Sequence, residues 1–160
     1  MYGLLRENKK KVFFILFLLV SVELSVYSPK IINFLTCTPK SLPELTVDNV
    51  KKEIIKEKIL FPNIVLRQAI LESGWFDSPL SRYNHNIFGM RHPKSRKTLS
   101  KGEKNGYAFF NNWIDCIKDY KLFQDRYFKG KTETDYIVWI STRYAEDGDY
   151  FKKLKNINIK

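Results

Sequence analysis

Cysteine, histidine and acidic residues are scarce in this chain of 160 residues. The two cysteines, Cys37 and Cys116, form no CxxC pair and have no metal-site spacing, which excludes a dithiol redox centre and a thiolate zinc site. His85 and His92 are not at ligand spacing, and no Asp/Glu cluster joins them. No metal and no cofactor are therefore expected. Repeats and low-complexity segments are missing, and no apolar run reaches the roughly twenty residues of a membrane-spanning helix. Acid is outnumbered: 28 Lys and Arg face 17 Asp and Glu, for a net charge of +11. Such a surplus suits an anionic partner, whether nucleic acid, anionic lipid or an acidic cell-wall polymer. Nucleic-acid-binding motifs are absent, so nucleic acid is the least supported of the three. What is present is a composition 44% hydrophobic and 15% aromatic, enough for one folded domain plus a tail.

The chemistry concentrates in Ala69-Ile70-Leu71-Glu72-Ser73-Gly74-Trp75-Phe76. Val65, Leu66, Ala69 and Ile70 recur at helical period, and Gly74 supplies a left-handed helix stop. Glu72 then lies in a last helical turn at the edge of the apolar stripe. The negative end of the helix dipole and aliphatic neighbours both disfavour its ionised form. A carboxyl raised in this way suits a general acid. A lone Glu at a helix end is more often a solvated charge, so its context decides.

That context is Ser81-Arg82-Tyr83-Asn84-His85-Asn86-Ile87-Phe88-Gly89, then Tyr107, Trp113, Asp119-Tyr120, and Tyr144-Ala145-Glu146-Asp147-Gly148-Asp149-Tyr150. With Glu-Ser-Gly-Trp, these ordered motifs resemble the bacterial glucosaminidase family of peptidoglycan hydrolases from about Val50 to Leu154. The resemblance implies a lysozyme-like fold and an endo-β-N-acetylglucosaminidase activity with Glu72 as the acid. It implies a second carboxylate in a mobile β-lobe. Glu103 is the only acid between Asp77 and Asp115, and a solvated loop charge among lysines is an equal reading of it. Alternatively, the N-acetyl group of the substrate stabilises the cation, with a tyrosine orienting it; Tyr144 and Tyr150 both match the family element. Trp75 and Tyr107 are expected as sugar-stacking walls, with Phe88 and Trp113 in the core. Asn86 is a candidate for holding backbone or substrate amides, against a turn Asn that bonds its own backbone. A muramidase or lytic transglycosylase on the same fold, a non-catalytic wall-binding protein and a nucleic-acid binder are the competing functions.

The rest of the chain reads as follows. Arg6 and Lys9 to Lys11 precede an apolar run from Val12 to Val22, the pattern of an export signal. Residues 1–27 are a signal peptide or a membrane anchor that leaves the domain outside the cytoplasm. Residues 28–45, with Pro29, Pro39 and Pro43, are a tether. The catalytic domain occupies 46–160. Its expected elements are a helix from Thr46-Val47-Asp48 to about Leu60, a second beginning at Pro62, and a loop over Asp77–Tyr83. A loop or small β-lobe follows over 90–110, then a helix from Asn112 to Tyr127, one from Thr132 or Thr134 to Tyr144, and a short last helix. The expected class is α+β, mostly helical, with the β-lobe beside the cleft. The protein is expected to be a monomer, with Cys116 a buried free thiol rather than a partner of Cys37.

Overall fold

The computed structural model describes residues 41–144 and 149–159. The apolar run, Cys37 and the Ala145–Gly148 part of the tyrosine element lie outside the described residues. Among the described residues no helix is long and apolar enough to cross a membrane.

Helix α1, Val47–Lys56, is capped by the Thr46 hydroxyl, which accepts from the Asn49 amide. It buries Val50 and Ile54. It stops short of the expected Leu60 because Lys58 takes a left-handed conformation, φ 54°, which turns Ile59 into the core; Ile55, within the helix, faces outward. Helix α2, Pro62–Ser73, starts with proline at its first position, where the missing N–H has no intrahelical partner to lose. It packs on α1 and buries Val65, Leu66, Ala69 and Ile70.

Helix α3, Pro79–Asn84, replaces the loop expected over Asp77–Tyr83. Pro79 is again a helix-start residue, and the Ser78 hydroxyl accepts from the Ser81 amide at 3.2 Å. Strands β1, Gly102–Lys104, and β2, Tyr107–Phe109, form an antiparallel hairpin. Asn105 and Gly106 make its two-residue turn, with φ 55° and 79°. Asn-Gly is the pair that tolerates two successive left-handed residues. The Phe110 amide donates to the Asn84 carbonyl at 2.9 Å, which fastens the hairpin to α3.

Helix α4, Trp113–Tyr127, is capped by Asn112. It sends Trp113, Cys116, Ile117 and Tyr120 inward. Cys116 is a buried free thiol, its pKa pushed up by burial. Trp113 Nε1 donates to the Pro43 carbonyl at 3.0 Å, so the end of the expected tether is held on the domain. Helix α5, Glu133–Tyr144, begins in the Thr132-x-x-Asp135 pattern: the Asp135 amide donates to the Thr132 hydroxyl, and the Asp135 carboxylate accepts from the Lys131 and Thr132 amides. Helix α6, Tyr150–Asn156, packs against α2 and α5.

A buried polar chain joins α2, α4 and α5. Tyr120 Oη donates to Gln68 Oε1 at 2.6 Å and meets Tyr136 Oη at 2.5 Å. Gln124 clamps the Leu60 backbone through both its amide atoms. The ring of Phe88 stacks on Tyr120 with centroids 4.1 Å apart. The domain is α+β and mostly helical, with one two-stranded sheet among the described residues.

Candidate active site

Glu72 sits in the final turn of α2. Past it the chain makes an unusual left-handed run: Gly74, Trp75 and Phe76 have φ of 55°, 58° and 68°. Glycine accepts this freely, but each non-glycine residue costs about 1–2 kcal/mol there. Ser73 offsets part of that cost. Its hydroxyl donates to the Ala69 carbonyl at 2.6 Å and accepts from the Phe76 amide at 2.9 Å. Gly74 and Trp75 N–H groups close on Leu71 and Ile70 carbonyls. The Glu-Ser-Gly-Trp element is therefore a locked helix end that buries Phe76 and leaves Trp75 56% exposed.

Two other elements meet the Glu72 carboxyl. From α6, Tyr150 Oη donates to Glu72 Oε1 at 2.9 Å. From the segment after α3, Gly89 passes so close that a Cβ placed there would lie 3.5 Å from Glu72 Oε2. That is ordinary contact distance; the bar to a side chain at Gly89 is its φ of 64°, which strains any residue but glycine.

Asn86 creates this approach. Its Nδ2 donates to the Met90 and Ala108 carbonyls at 2.8 and 2.9 Å, and its Oδ1 accepts from the Met90 amide at 3.0 Å. Its side chain is wholly buried. Of the two expectations for Asn86, backbone or substrate amides, the first is what the structure shows: its amide is taken up by the Met90 and Ala108 backbone, with the Cys116 thiol also on Oδ1, so it is not available as a substrate contact. It ties the Gly89 turn to β2 while Ile87 and Phe88 enter the core.

Glu72 is half-buried. Removal from water raises its pKa above the ordinary carboxyl value of 4.5, and the Tyr150 hydroxyl, by stabilising the carboxylate, draws it partly back. Burial is the larger effect. The carboxyl can give up its proton at one face while Tyr150 steadies the charge left behind.

This opposition has a measurable consequence. Tyr150→Phe removes the donor that stabilises the carboxylate, so Glu72 should hold its proton to higher pH. An acid is active when protonated, and activity is lost as pH rises through its pKa. The alkaline limb of the pH–rate profile should therefore move upward in Tyr150→Phe. A limb that stays in place, or moves down, would show that the hydrogen bond does not tune Glu72.

The remaining expected site residues are dispersed. Glu103 is exposed at the centre of β1, opposite Ala108. Tyr144 ends α5, and its side chain lies outside the described residues. Trp75 lines a hollow of about 490 Å³ with Thr46, Val47, Asp48, Asn158 and Ile159. Tyr107 is 40% exposed on β2 and faces a separate hollow beside α3. Phe88 and Trp113 are core residues, as expected of them. Among the described residues no group of three His, Cys, Asp or Glu side chains could hold a metal ion.

Three contributors escape a reading of the chain. Gly89 turns its open side toward the carboxyl from across the fold, Ser73 locks the turn, and Asp119 anchors the segment before the hairpin. Wholly buried, Asp119 accepts from both Arg96 terminal nitrogens at 3.1 and 2.6 Å, from Thr98 Oγ1 at 2.7 Å and from the Leu99 amide at 2.8 Å. Asp119-Tyr120 as a pair was the only signal for it.

The glucosaminidase family model, described as mannosyl-glycoprotein endo-beta-N-acetylglucosaminidase, matches residues 48–159. Protein bax of Escherichia coli is 37% identical over 62 residues, 39% of this chain and 23% of that protein. An autolysin of Enterococcus faecalis is 28% identical over 134 residues, 61% of this chain and 17% of that protein. The chain thus spans less than a quarter of the length of either relative. Among solved structures, the catalytic domain of the autolysin Auto from Listeria monocytogenes aligns with TM-score 0.49 and 22% identity, over 81% of this chain and 92% of that one. A glycoside hydrolase domain from Salmonella typhimurium FlgJ aligns with TM-score 0.46 and 21% identity, over 68% and 90%. With the family model covering residues 48–159 of the 160, the chain belongs to the glucosaminidase family of glycoside hydrolases.

Proposed function

We propose that the chain is a peptidoglycan hydrolase, an endo-β-N-acetylglucosaminidase that cuts the glycan strand with Glu72 as general acid. The observation that carries this reading is the state of Glu72: a half-buried carboxyl, raised by desolvation, at a helix end where Tyr150 donates to it. In the reaction Glu72 gives its proton to the glycosidic oxygen as the bond to the sugar carbon breaks. The leaving sugar departs as an alcohol, and positive charge forms at the reacting carbon. That charge is met by Glu103 or by the acetamido oxygen of the substrate. The exposure of Glu103 favours the acetamido oxygen. Water then adds to the carbon, and the Glu72 carboxylate recovers a proton from it.

The envelope is the corresponding location. Residues 1–27 would export or anchor the chain and 28–45 would tether a monomeric domain to it. One relative carries the name autolysin, and a peptidoglycan substrate here accords with that name.

The test is mass spectrometry of fragments from purified peptidoglycan, after borohydride reduction. Reduced N-acetylglucosamine ends are expected. Reduced muramic ends would make the enzyme a muramidase, and anhydro-muramic ends a lytic transglycosylase. A folded protein that released nothing would favour wall binding.

A further inference from the structure

The hollow beside α3 does not include Glu72 in its lining and has an organisation of its own. It measures about 410 Å³, and Tyr83, Asn84, Lys104, Asn105 and Tyr107 are among its lining residues. That volume falls in the range of small-ligand sites. Two aromatic rings stand at it unshielded: Tyr83 is 74% exposed and Tyr107 40% exposed. Among the described residues neither ring stacks on another, and Lys104 has no acidic partner. Glu103, its neighbour in sequence, alternates to the other face of β1.

The walls are fixed before any ligand arrives. Asn84 Nδ2 donates to the Lys104 carbonyl at 3.3 Å, and the Phe110 amide donates to the Asn84 carbonyl at 2.9 Å. The Asn105-Gly106 turn holds the tip in one register. A groove braced in this way loses little freedom on binding.

The lining chemistry selects a ligand class. A pyranose ring has an apolar C–H face, which lies on an aromatic ring, and a polar edge, which suits the Asn105 amide and the tyrosine hydroxyls. An unpaired ammonium asks for an anion. We propose that this hollow is a subsite for one sugar unit whose substituent bears a carboxylate, with Tyr83 and Tyr107 as its walls and Lys104 as its anion contact. This subsite rests on the glycan-hydrolase reading and adds to it a selectivity for acid-substituted sugars.

The test uses the full-length chain carrying Glu72→Gln, so that ligands stay uncut. Titration calorimetry compares two tetrasaccharides: one from peptidoglycan stripped of peptide, with free lactyl carboxylates, and one from chitin, without carboxylates. Adding Tyr83→Ala should weaken both about fivefold to tenfold. Adding Lys104→Gln should weaken only the carboxylate-bearing one, by about threefold to tenfold, and flatten its dependence on salt. Tyr83 is exposed, so its substitution should leave the thermal midpoint in place. Unchanged affinities in both variants would overturn the subsite, as would failure of the Glu72→Gln chain to bind either sugar. Equal weakening of both sugars by Lys104→Gln would overturn its anion role. Digestion of peptidoglycan by the unsubstituted chain, run in parallel, separates the two readings: loss there is a failure of the hydrolase assignment, not of the subsite.

Discussion

Glutamine at position 72 is expected to lower peptidoglycan hydrolysis by roughly a hundredfold to ten-thousandfold, the usual worth of a positioned acid. The amide matches the carboxyl in size, still accepts from Tyr150, and is easier to hold away from water than a charge. The thermal midpoint should therefore stay in place or rise slightly, and the loss should fall on kcat rather than on KM. Glu103→Gln provides the contrast. Its carboxylate is exposed on the hairpin, so if the substrate's own acetamido oxygen meets the forming cation, that variant keeps activity within about tenfold. Release of reducing ends by the two variants, measured side by side, decides the matter. Full activity in Glu72→Gln would remove it as the acid, and a collapse in Glu103→Gln would assign the second role to that residue.

The second large effect should come from Asp119, which holds protein groups and no proposed substrate contact. Its partner Arg96 is only 5% exposed and Asp119 not at all. Asp119→Ala leaves a guanidinium buried without its counter-charge and frees Thr98 Oγ1 and the Leu99 amide. Breaking one half of a buried pair costs about 3–5 kcal/mol, which should lower the thermal midpoint by roughly 10–20 °C. Replacing both partners by apolar residues of similar volume should recover much of the loss, because no charge then remains buried. A single variant that melts within about a degree of the parent would show that the pair does not hold the segment before the hairpin.

The regular helices were legible because their apolar faces repeat at the helical period and their caps are local: Thr46, Asn112 and Thr132 each stand beside the amides they satisfy. Pro79 was misread because proline marks a helix start as readily as a loop, and the six-residue α3 is too short to show a period. The hairpin turn had an unused local signal in Asn105-Gly106. Lys58 had none, since nothing in a lysine announces a left-handed backbone.

The site was legible only in part, and the division has a physical origin. Glu72 could be placed from neighbours within its own helix. What surrounds its carboxyl could not, because those contacts are long-range: Tyr150 stands 78 residues away in sequence. The same holds for Asn86. Its type fits substrate recognition and backbone clamping equally well, and only the arrival of Ala108 across 22 residues of chain shows which it does.

The decisive quantity is the protonation state of Glu72 in the folded domain. A carbon-detected NMR titration of the Glu72 carboxyl measures it without substrate. Burial should place its midpoint above the ordinary 4.5, and higher again in Tyr150→Phe. A midpoint at or below 4.5 in the unsubstituted protein would contradict a carboxyl raised by desolvation, and with it the tuning of Glu72 as the proton donor.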